Sequence, residues 1–439
     1  MSHTTFQALK KKIVGKSALV GVIGIGYVGL PLAVTFAEAG FKVLGFDIRQ
    51  SNVDAVNQGR SYIGDVSDDR LSAVVTKGVL SATLDQSRLK EVDAVCICVP
   101  TPLTRTKEPD ISFITQEVEE VALGLHSGEL VILESTTYPG TTREVVLPIL
   151  EKSGLKGGRD FFLAYSPERV DPGSSKYNTR NTPKLVGGID APSTELAELL
   201  YRQTVETIIP VSSAEVAEMT KIFENVFRNV NIALVNELAQ LCERMGMSVW
   251  EVIAAAATKP FGFMSFYPGP GVGGHCIPKD PYYLAYKARE YDFHTRFIEL
   301  AAEINEQMPY HVVHRVMEAL SARGKSLCGA QVLVLGVAYK PDVSDIRESP
   351  SLKIIQLLQD RGAQVSYNDP FVPKLVPPRG NLTSVELTED NLSSADCVVL
   401  ATVHSSYNPG TIAASAKLVL DTRGITRKLN RDNVIRLGE

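Results

Sequence analysis

Cysteine is scarce and unorganised in this 439-residue chain: Cys96, Cys98, Cys242, Cys276, Cys328 and Cys397 are scattered, with no CxxC pair and no Cys/His cluster at zinc spacing. That argues against a disulfide scaffold or a metal centre and for a reducing, cytoplasmic setting. An excess of cations is also lacking. Forty-five Lys and Arg against fifty Asp and Glu give a net charge of −5 without obvious blocks, so no footprint for nucleic acid or an anionic membrane is present. One uncharged run, ALVGVIGIGYVGLPLAVTFA at 18–37, follows Lys10, Lys11 and Lys12 and has the look of a signal peptide or a membrane span. Gly21, Gly24, Gly26, Gly29 and Pro31 interrupt it, and a charged, periodic segment continues the domain, so a strand, a glycine turn and a buried helix explain it better.

What is present is ample apolar material, 44% hydrophobic against 22% charged, in a chain long enough for two or three domains. The first section alternates strands with helices: SALVGVIGIG, a helix over 30–39, FKVLGFDI, DAVCICVP and ELVILESTT. Strands rich in Val, Ile and Leu on both faces predict a parallel sheet covered by helices on either side. From Ser212 one long helix is expected, with Ser212 and Glu215 as a capping box and Gly246 as its stop. Met219, Phe223, Val226, Val230, Leu234, Leu238 and Leu241 give it an apolar stripe, and its length of roughly 50 Å suits a spine between domains. A Gly/Pro-rich passage, KPFGFMSFYPGPGVGGHCIPKDPYYL, must be turn or loop through its middle. A second α/β pattern follows. The expected fold is α/β, two Rossmann-like doubly wound domains joined by a long central helix and a small helical domain, with boundaries at 1–210, 211–310 and 311–439.

Gly24-Ile25-Gly26-Tyr27-Val28-Gly29 follows a strand and opens a helix, the arrangement in which a pyrophosphate approaches the backbone at a helix N-terminus. Asp47 ends the next strand at about the twenty-residue separation from which a carboxylate bonds ribose hydroxyls, favouring NAD over NADP, although Arg49 blurs the preference. Cys276 sits among glycines that can present N–H groups to an oxyanion, and Lys279 is close enough in sequence to lower its pKa; by spacing alone an inert buried thiol is the better reading. Asp280, before Pro281, reads as a helix N-cap, which is compatible with catalysis. Glu218, Lys221, Asn225 and Asn229 form a polar stripe on the spine, either a solvated face or a cleft wall, and Asn225, Asn229, Asn231 and Asn236 are poor interior helix residues. His311 and His314 share a helix face without a third ligand, and Cys96 with Cys98 reads as strand core.

The segments GVIGIGYVGLPLA, VPTPL, ESTTYPGTT, SPERVDPG, EMTKIFENVFRNVNIALVNELA, GPGVGGHCIPKDP and GVAYKPDVSDIRESPS together resemble the UDP-glucose/GDP-mannose dehydrogenase family along all three sections. The resemblance implies oxidation of the C6 alcohol of a nucleotide sugar to a carboxylate with two NAD in succession. It implies Cys276 as the nucleophile, Lys221 and Asn225 as oxyanion stabilisers, Asp280 with a water held by Thr136 for proton transfer, and Glu168 for the hydrolytic water. Gly24, Gly26, Tyr27, Val28, Gly29, Asp47, Arg49, Thr101, Thr136, Lys279 and Arg347 correspond to cofactor positions. Glu168, Arg169, Val170, Lys221, Asn225, Tyr267, Gly273, Tyr339, Lys340 and Arg423 correspond to sugar-nucleotide positions, the substrate lying between the two α/β domains. YPGPGVGGHC, IPKDPYYL and TPKLVGG resemble the branch that oxidises UDP-N-acetylhexosamines, the N-acetylglucosamine type first, with N-acetylmannosamine or plain glucose as alternatives. The relatives imply a homodimer along the spine and bring an arginine across the interface into the pocket; no residue here is assigned to that contact, Lys259 being the nearest basic residue before the loop. A single-oxidation hydroxyacid dehydrogenase would need neither Cys276 nor a second α/β domain, and an idle nucleotide-sugar binder would not need Lys221, Cys276 and Asp280 together.

Overall fold

A computed structural model describes residues 2–170, 176–377 and 381–439. Asp171 and Gly173, which close the SPERVDPG segment, lie outside the described residues. The chain divides into two compact units, residues 1–224 with 282–293 and residues 225–281 with 294–439.

The first unit is a Rossmann-like α/β fold on one eight-stranded sheet. Its strands are β1 (Leu19–Ile23), β2 (Lys42–Phe46), β3 (Leu80–Thr83), β4 (Ala94–Ile97), β5 (Leu130–Leu133), β6 (Phe162–Tyr165), β7 (Lys184–Gly188) and β8 (Ile208–Pro210). Their order is β3-β2-β1-β4-β5-β6-β7-β8, parallel from β3 through β6. β7 turns antiparallel against β6, and β8 follows β7 in parallel. The central strands β4, β5 and β6 are buried along their whole length, as their Val, Ile, Leu and Phe content demands of a sheet covered on both faces. The 18–37 run becomes β1, the glycine turn and the helix Gly29–Glu38, in which every residue but the last is buried. Four strands of this sheet escaped the sequence reading: Leu80–Thr83, an edge strand that is only partly buried, and β6 to β8.

The helix Ala214–Met245 is continuous for 32 residues and ends before Gly246, whose φ is +66°. Its start is one residue later than the expected capping box: the Ser213 hydroxyl, not that of Ser212, accepts the Val216 N–H at 3.3 Å. The second unit carries a parallel sheet of β9 (Gln331–Leu335), β10 (Gln364–Asn368), β13 (Cys397–Leu400), β14 (Val419–Asp421) and β15 (Val434–Arg436) in the order β10-β9-β13-β14-β15, with a small ribbon of β11 (Lys374–Leu375) and β12 (Leu382–Thr383). The boundary expected at 310 falls inside a helix that runs from Arg296 to Ser321 through Pro309. Residues 258–279 contain no helix or strand, as the glycines and prolines require. Among the described residues no helix is long and apolar enough to cross a membrane.

Candidate active site

In the first unit, the residues singled out for chemistry follow the carboxyl ends of parallel strands: the glycine turn after β1, Asp47 after β2, Thr101 after β4, Thr136 after β5 and Glu168 after β6. That edge of a doubly wound sheet is where ligands bind, and strand order reverses here between β1 and β4. The three glycines have separate duties. Gly24 holds φ +80°, and a Cβ there would stand 2.8 Å from the Cys98 carbonyl oxygen. A Cβ on Gly29 would collide with the Gly24 carbonyl, so helix and strand can close only over a glycine. A Cβ on Gly26 would meet nothing within 4 Å. Packing does not need a glycine there; an approaching ligand does.

The helix that follows has Val28 at its N-cap and no side-chain cap; the Leu30 N–H donates to the Gly26 carbonyl at 3.0 Å and Pro31 has none, so the place for an anion is the turn itself and Gly29. Asp47 accepts the Arg49 N–H at 2.9 Å and the Asn52 amide at 3.1 Å, one bond on each oxygen, and each oxygen keeps a lone pair for a ribose hydroxyl. Tyr62, missed by the sequence reading, donates its hydroxyl to the Ile25 carbonyl at 2.5 Å and steadies the turn; burial, with Asp47 nearby, raises its pKa. These donors and this opening fit NAD. Thr101 is buried, and its carbonyl accepts the Tyr283 hydroxyl at 2.8 Å.

Glu168 folds back so that one carboxylate oxygen accepts the N–H groups of Arg169 and Val170, each at 2.8 Å. Arg169 is itself clamped by Glu224 and the Pro183 carbonyl. Lys221, only 8% exposed, makes no hydrogen bond or ion pair among the described residues. An ammonium without a protein partner is one that an incoming anion can pair with. Glu218, grouped with the polar stripe, turns instead toward the backbone after β5. Its carboxylate accepts the N–H groups of Gly140 (2.6 Å) and Thr142 (2.9 Å) and the Thr142 hydroxyl. Burial pushes it up to about 7 against those bonds.

The second unit explains the asparagines. Asn225 donates to the Asp280 carboxylate at 2.5 Å, Asn229 donates to the Ile277 carbonyl at 3.1 Å, and the Asn236 side-chain oxygen accepts the Gly269 N–H at 2.9 Å. Asn305, from the helix Arg296–Ser321, bonds the Asn236 amide and the Asn229 carbonyl. The stripe is neither solvated face nor bare cleft wall here; it fastens the Cys276 loop at three points. Asn231 differs, bonding back to Phe227 on its own helix. The helix Asp280–Ala288 begins at Asp280 itself rather than after it. The Cys276 carbonyl accepts the N–H groups of Lys279 and Asp280, which fixes the turn that carries the half-buried thiol. Its sulfur lies 3.9 Å from Nδ1 of His275. Burial, with Arg347 and Lys279 nearby, pushes His275 down to about 4, so that ring is neutral at ordinary pH.

Around the loop stand residues of the second sheet's carboxyl edge. Tyr339 packs so tightly that a Cβ on Gly273 would come within 2.8 Å of its own Cβ, and the Gly274 N–H donates to the Arg347 carbonyl at 3.0 Å. Arg423 is near enough to Gly269 that a Cβ there would meet its guanidinium at 2.7 Å; burial pushes it down to about 10. Tyr267 stacks on Trp250. Lys279 pairs with Glu348 at 3.2 Å and Arg347 with Asp345 at 2.6 Å, both in this unit beside the loop that bears Tyr339 and Lys340.

Family models described as the NAD binding, central and UDP binding domains of the UDP-glucose/GDP-mannose dehydrogenase family match residues 18–205, 215–307 and 333–428. The chain belongs to the UDP-glucose/GDP-mannose dehydrogenase family. Members similar to it include UDP-N-acetyl-D-mannosamine dehydrogenase of Pyrococcus horikoshii, 39% identical over 93% of this chain and 96% of that protein. UDP-N-acetyl-D-glucosamine 6-dehydrogenase of Pseudomonas aeruginosa is 38% identical over 81% and 84%. The solved structure of the P. horikoshii UDP-D-ManNAc dehydrogenase superposes with a TM-score of 0.88, covering 96% of this chain and 99% of the other at 37% identity. As a dehydrogenase of this family the protein is an oxidoreductase, and its cofactor is NAD.

His311 is held by a hydrogen bond to Glu243 at 2.8 Å, and His314 lies 3.2 Å from Glu318. Cys96 and Cys98 are buried among the core of the first unit, and burial raises both thiols. The sequence reading missed one polar cluster altogether, a buried Lys184–Glu134 pair at 2.7 Å beside Glu168.

Proposed function

We propose that the protein oxidises the C6 alcohol of a UDP-N-acetylhexosamine to the uronic acid by four electrons, through covalent intermediates on Cys276. The observation that carries this reading is the tethering of the Cys276 loop by Asn225, Asn229 and Asn236, with Asp280 held against Asn225. Ordering a glycine-rich loop against a helix at this cost in helix propensity is expected where a side chain must be aimed, not where a thiol merely fills space.

NAD, when bound, accepts the hydride lost at each of two oxidations. The turn at Gly26 and Gly29, with Asp47, holds the dinucleotide. Asp280, with a water on Thr136, takes up the C6 hydroxyl proton as the aldehyde forms. An aldehyde lacks an alkoxide able to expel hydride, and the Cys276 thiolate supplies one by adding to carbon six as a thiohemiacetal. Lys221 meets that developing oxyanion, which gives a use to an ammonium that has no partner among the described residues, and Asn225 assists. The second oxidation leaves a thioester. Water oriented by Glu168 adds to its carbonyl, the C–S bond breaks, and the thiolate returns with release of the acid.

UDP-N-acetylglucosamine is the substrate favoured by the HCIPKDPYYL and TPKLVGG segments. UDP-N-acetylmannosamine is the second reading, because the P. horikoshii relative carries that activity in its name. Tyr339, Lys340, Tyr267, Gly273 and Arg423 line the sugar-nucleotide pocket in this scheme, and Lys279 and Arg347 serve the cofactor. The spine leaves Met219, Phe223 (63% exposed), Leu234 (60%), Leu241 and Met245 uncovered, which supports a homodimer along it. The lack of disulfides supports a reducing, cytoplasmic setting.

NADH release over a panel of UDP-sugars tests the proposal: the true substrate yields two NADH per acid. Cys276→Ser stalls after the first hydride transfer or holds an ester adduct visible by intact mass. Complete turnover by that variant, or one NADH per product in the wild type, refutes the scheme.

A further inference from the structure

Lys184 opens β7, and because β7 runs antiparallel to β6 its first residue stands beyond the carboxyl end of β6, beside the turn that bears Glu168. Its ammonium bonds Glu134 at 2.7 Å, reaches the Pro167 carbonyl at 3.4 Å and lies 3.7 Å from the second carboxylate oxygen of Glu168. The other Glu134 oxygen accepts the Tyr201 hydroxyl. Lys184, Glu134 and Tyr201 are all buried.

A buried ion pair is weak as a device for stability, since well-packed neutral residues of similar volume often do as well or better. Glu168 gives this pair another use. One of its oxygens is fixed by two backbone N–H groups, and the other faces Lys184, so the carboxylate has one orientation. We infer that Lys184 is a positioning residue for Glu168, its charge anchored from behind by Glu134, and that it governs hydrolysis of the thioester rather than either oxidation. The inference rests on the proposed function and deepens it. The titratable and charged groups that face this centre are Glu134 after β5, Cys96 and Cys98 on and after β4, Tyr201 on the helix Ala191–Tyr201, and Arg169 with its partner Glu224. Of these, Arg169 is turned to Glu224 and the Pro183 carbonyl. Lys184 is the cation in ion-pair contact with Glu168 among the described residues.

The test compares wild type, Glu134→Gln and the double variant Glu134→Gln/Lys184→Met, the double variant removing both buried charges at once so that neither is left uncompensated. Each is mixed with NAD and UDP-N-acetylhexosamine, quenched in acid at intervals and weighed intact, with thermal unfolding run alongside. Glu134→Gln, which keeps the ammonium and leaves it beside Glu168, lowers Tm because the buried pair is broken, but the folded protein retains hydrolysis within roughly twofold. The double variant unfolds near the wild-type temperature but hydrolyses its thioester roughly 10- to 100-fold more slowly, so an acyl adduct on Cys276 accumulates. NADH release in the first turnover, which reports the two oxidations, stays within roughly twofold of wild type. A folded double variant with wild-type hydrolysis overturns the inference while leaving the thioester scheme intact. A wild type that never carries an adduct, even when turnover is quenched early, overturns that scheme and this inference with it.

Discussion

The glycine turn permits one substitution to be made twice with opposite outcomes. Neither Gly26 nor Gly29 has a positive φ, so alanine is conformationally acceptable at both. At 26 the new methyl meets nothing within 4 Å, and the loss of glycine's freedom in the unfolded chain stabilises the fold by about 0.4–1 kcal/mol. The same methyl stands where a phosphate must approach. Losing one hydrogen bond between a backbone N–H and a charged oxygen costs about 1.5–3 kcal/mol, or roughly 10- to 150-fold in Kd. At 29 the methyl strikes the Gly24 carbonyl and comes within 3.2 Å of the Val22 side chain, both inside the sheet-helix joint. Overpacking of that kind costs about 1–3 kcal/mol or more, and at about 2–4 °C per kcal/mol for a unit of this size Tm falls by several degrees. Calorimetric unfolding and isothermal titration with NAD separate the two effects. Wild-type NAD affinity in Gly26→Ala, or a Gly29→Ala protein as stable as wild type, refutes the assignment of duties within the turn.

Other perturbations follow from the same geometry. Asn236→Leu leaves the Gly269 N–H and the Asn305 side-chain oxygen without partners, at about 1–3 kcal/mol each, and should lower both Tm and kcat while sparing NAD affinity; unchanged kcat in a folded protein counts against the tether. Lys221→Met should lower kcat by roughly 100-fold or more yet leave Tm close to wild type, since it removes an ammonium with no partner among the described residues; a large fall in Tm contradicts the oxyanion role. Glu218 predicts a pH dependence. Its folded value of about 7 lies above the ordinary 4.5, so between these pH values the folded chain binds the proton more tightly than the unfolded one. Its contribution is full below pH 4.5 and is lost as pH rises through about 7, a change of about 3 kcal/mol at most. Denaturant titrations of Glu218→Gln across that window should show a flatter profile than wild type, and equal slopes rule the account out.

Much of the first unit was legible because its signals are local. The turn at 24–29, its flanking strand and helix, and Asp47 occupy one short stretch whose spacing carries the mechanism. The spine was legible from periodicity and the glycine loop from composition. The asparagines announced themselves as misfits in a helix, but their partners, Gly269, Ile277, Asp280 and Asn305, are reached only through the fold. Lys184 and Glu134 are separated by 50 residues, and each alone reads as an ordinary charged residue next to a strand. Glu218 was misplaced for a related reason, since its neighbours along the helix say nothing of the Gly140 and Thr142 amides it receives. Pro309 conceals the helix that crosses the expected boundary at 310.

The asparagine tethers bear on protein engineering. Transplanting residues 266–281 into a relative to alter sugar preference would import the thiol without its rigging, because the cords are tied to a different segment of chain. A successful graft must bring Asn225, Asn229 and Asn236 with it, along with Asn305 to which two of them are moored.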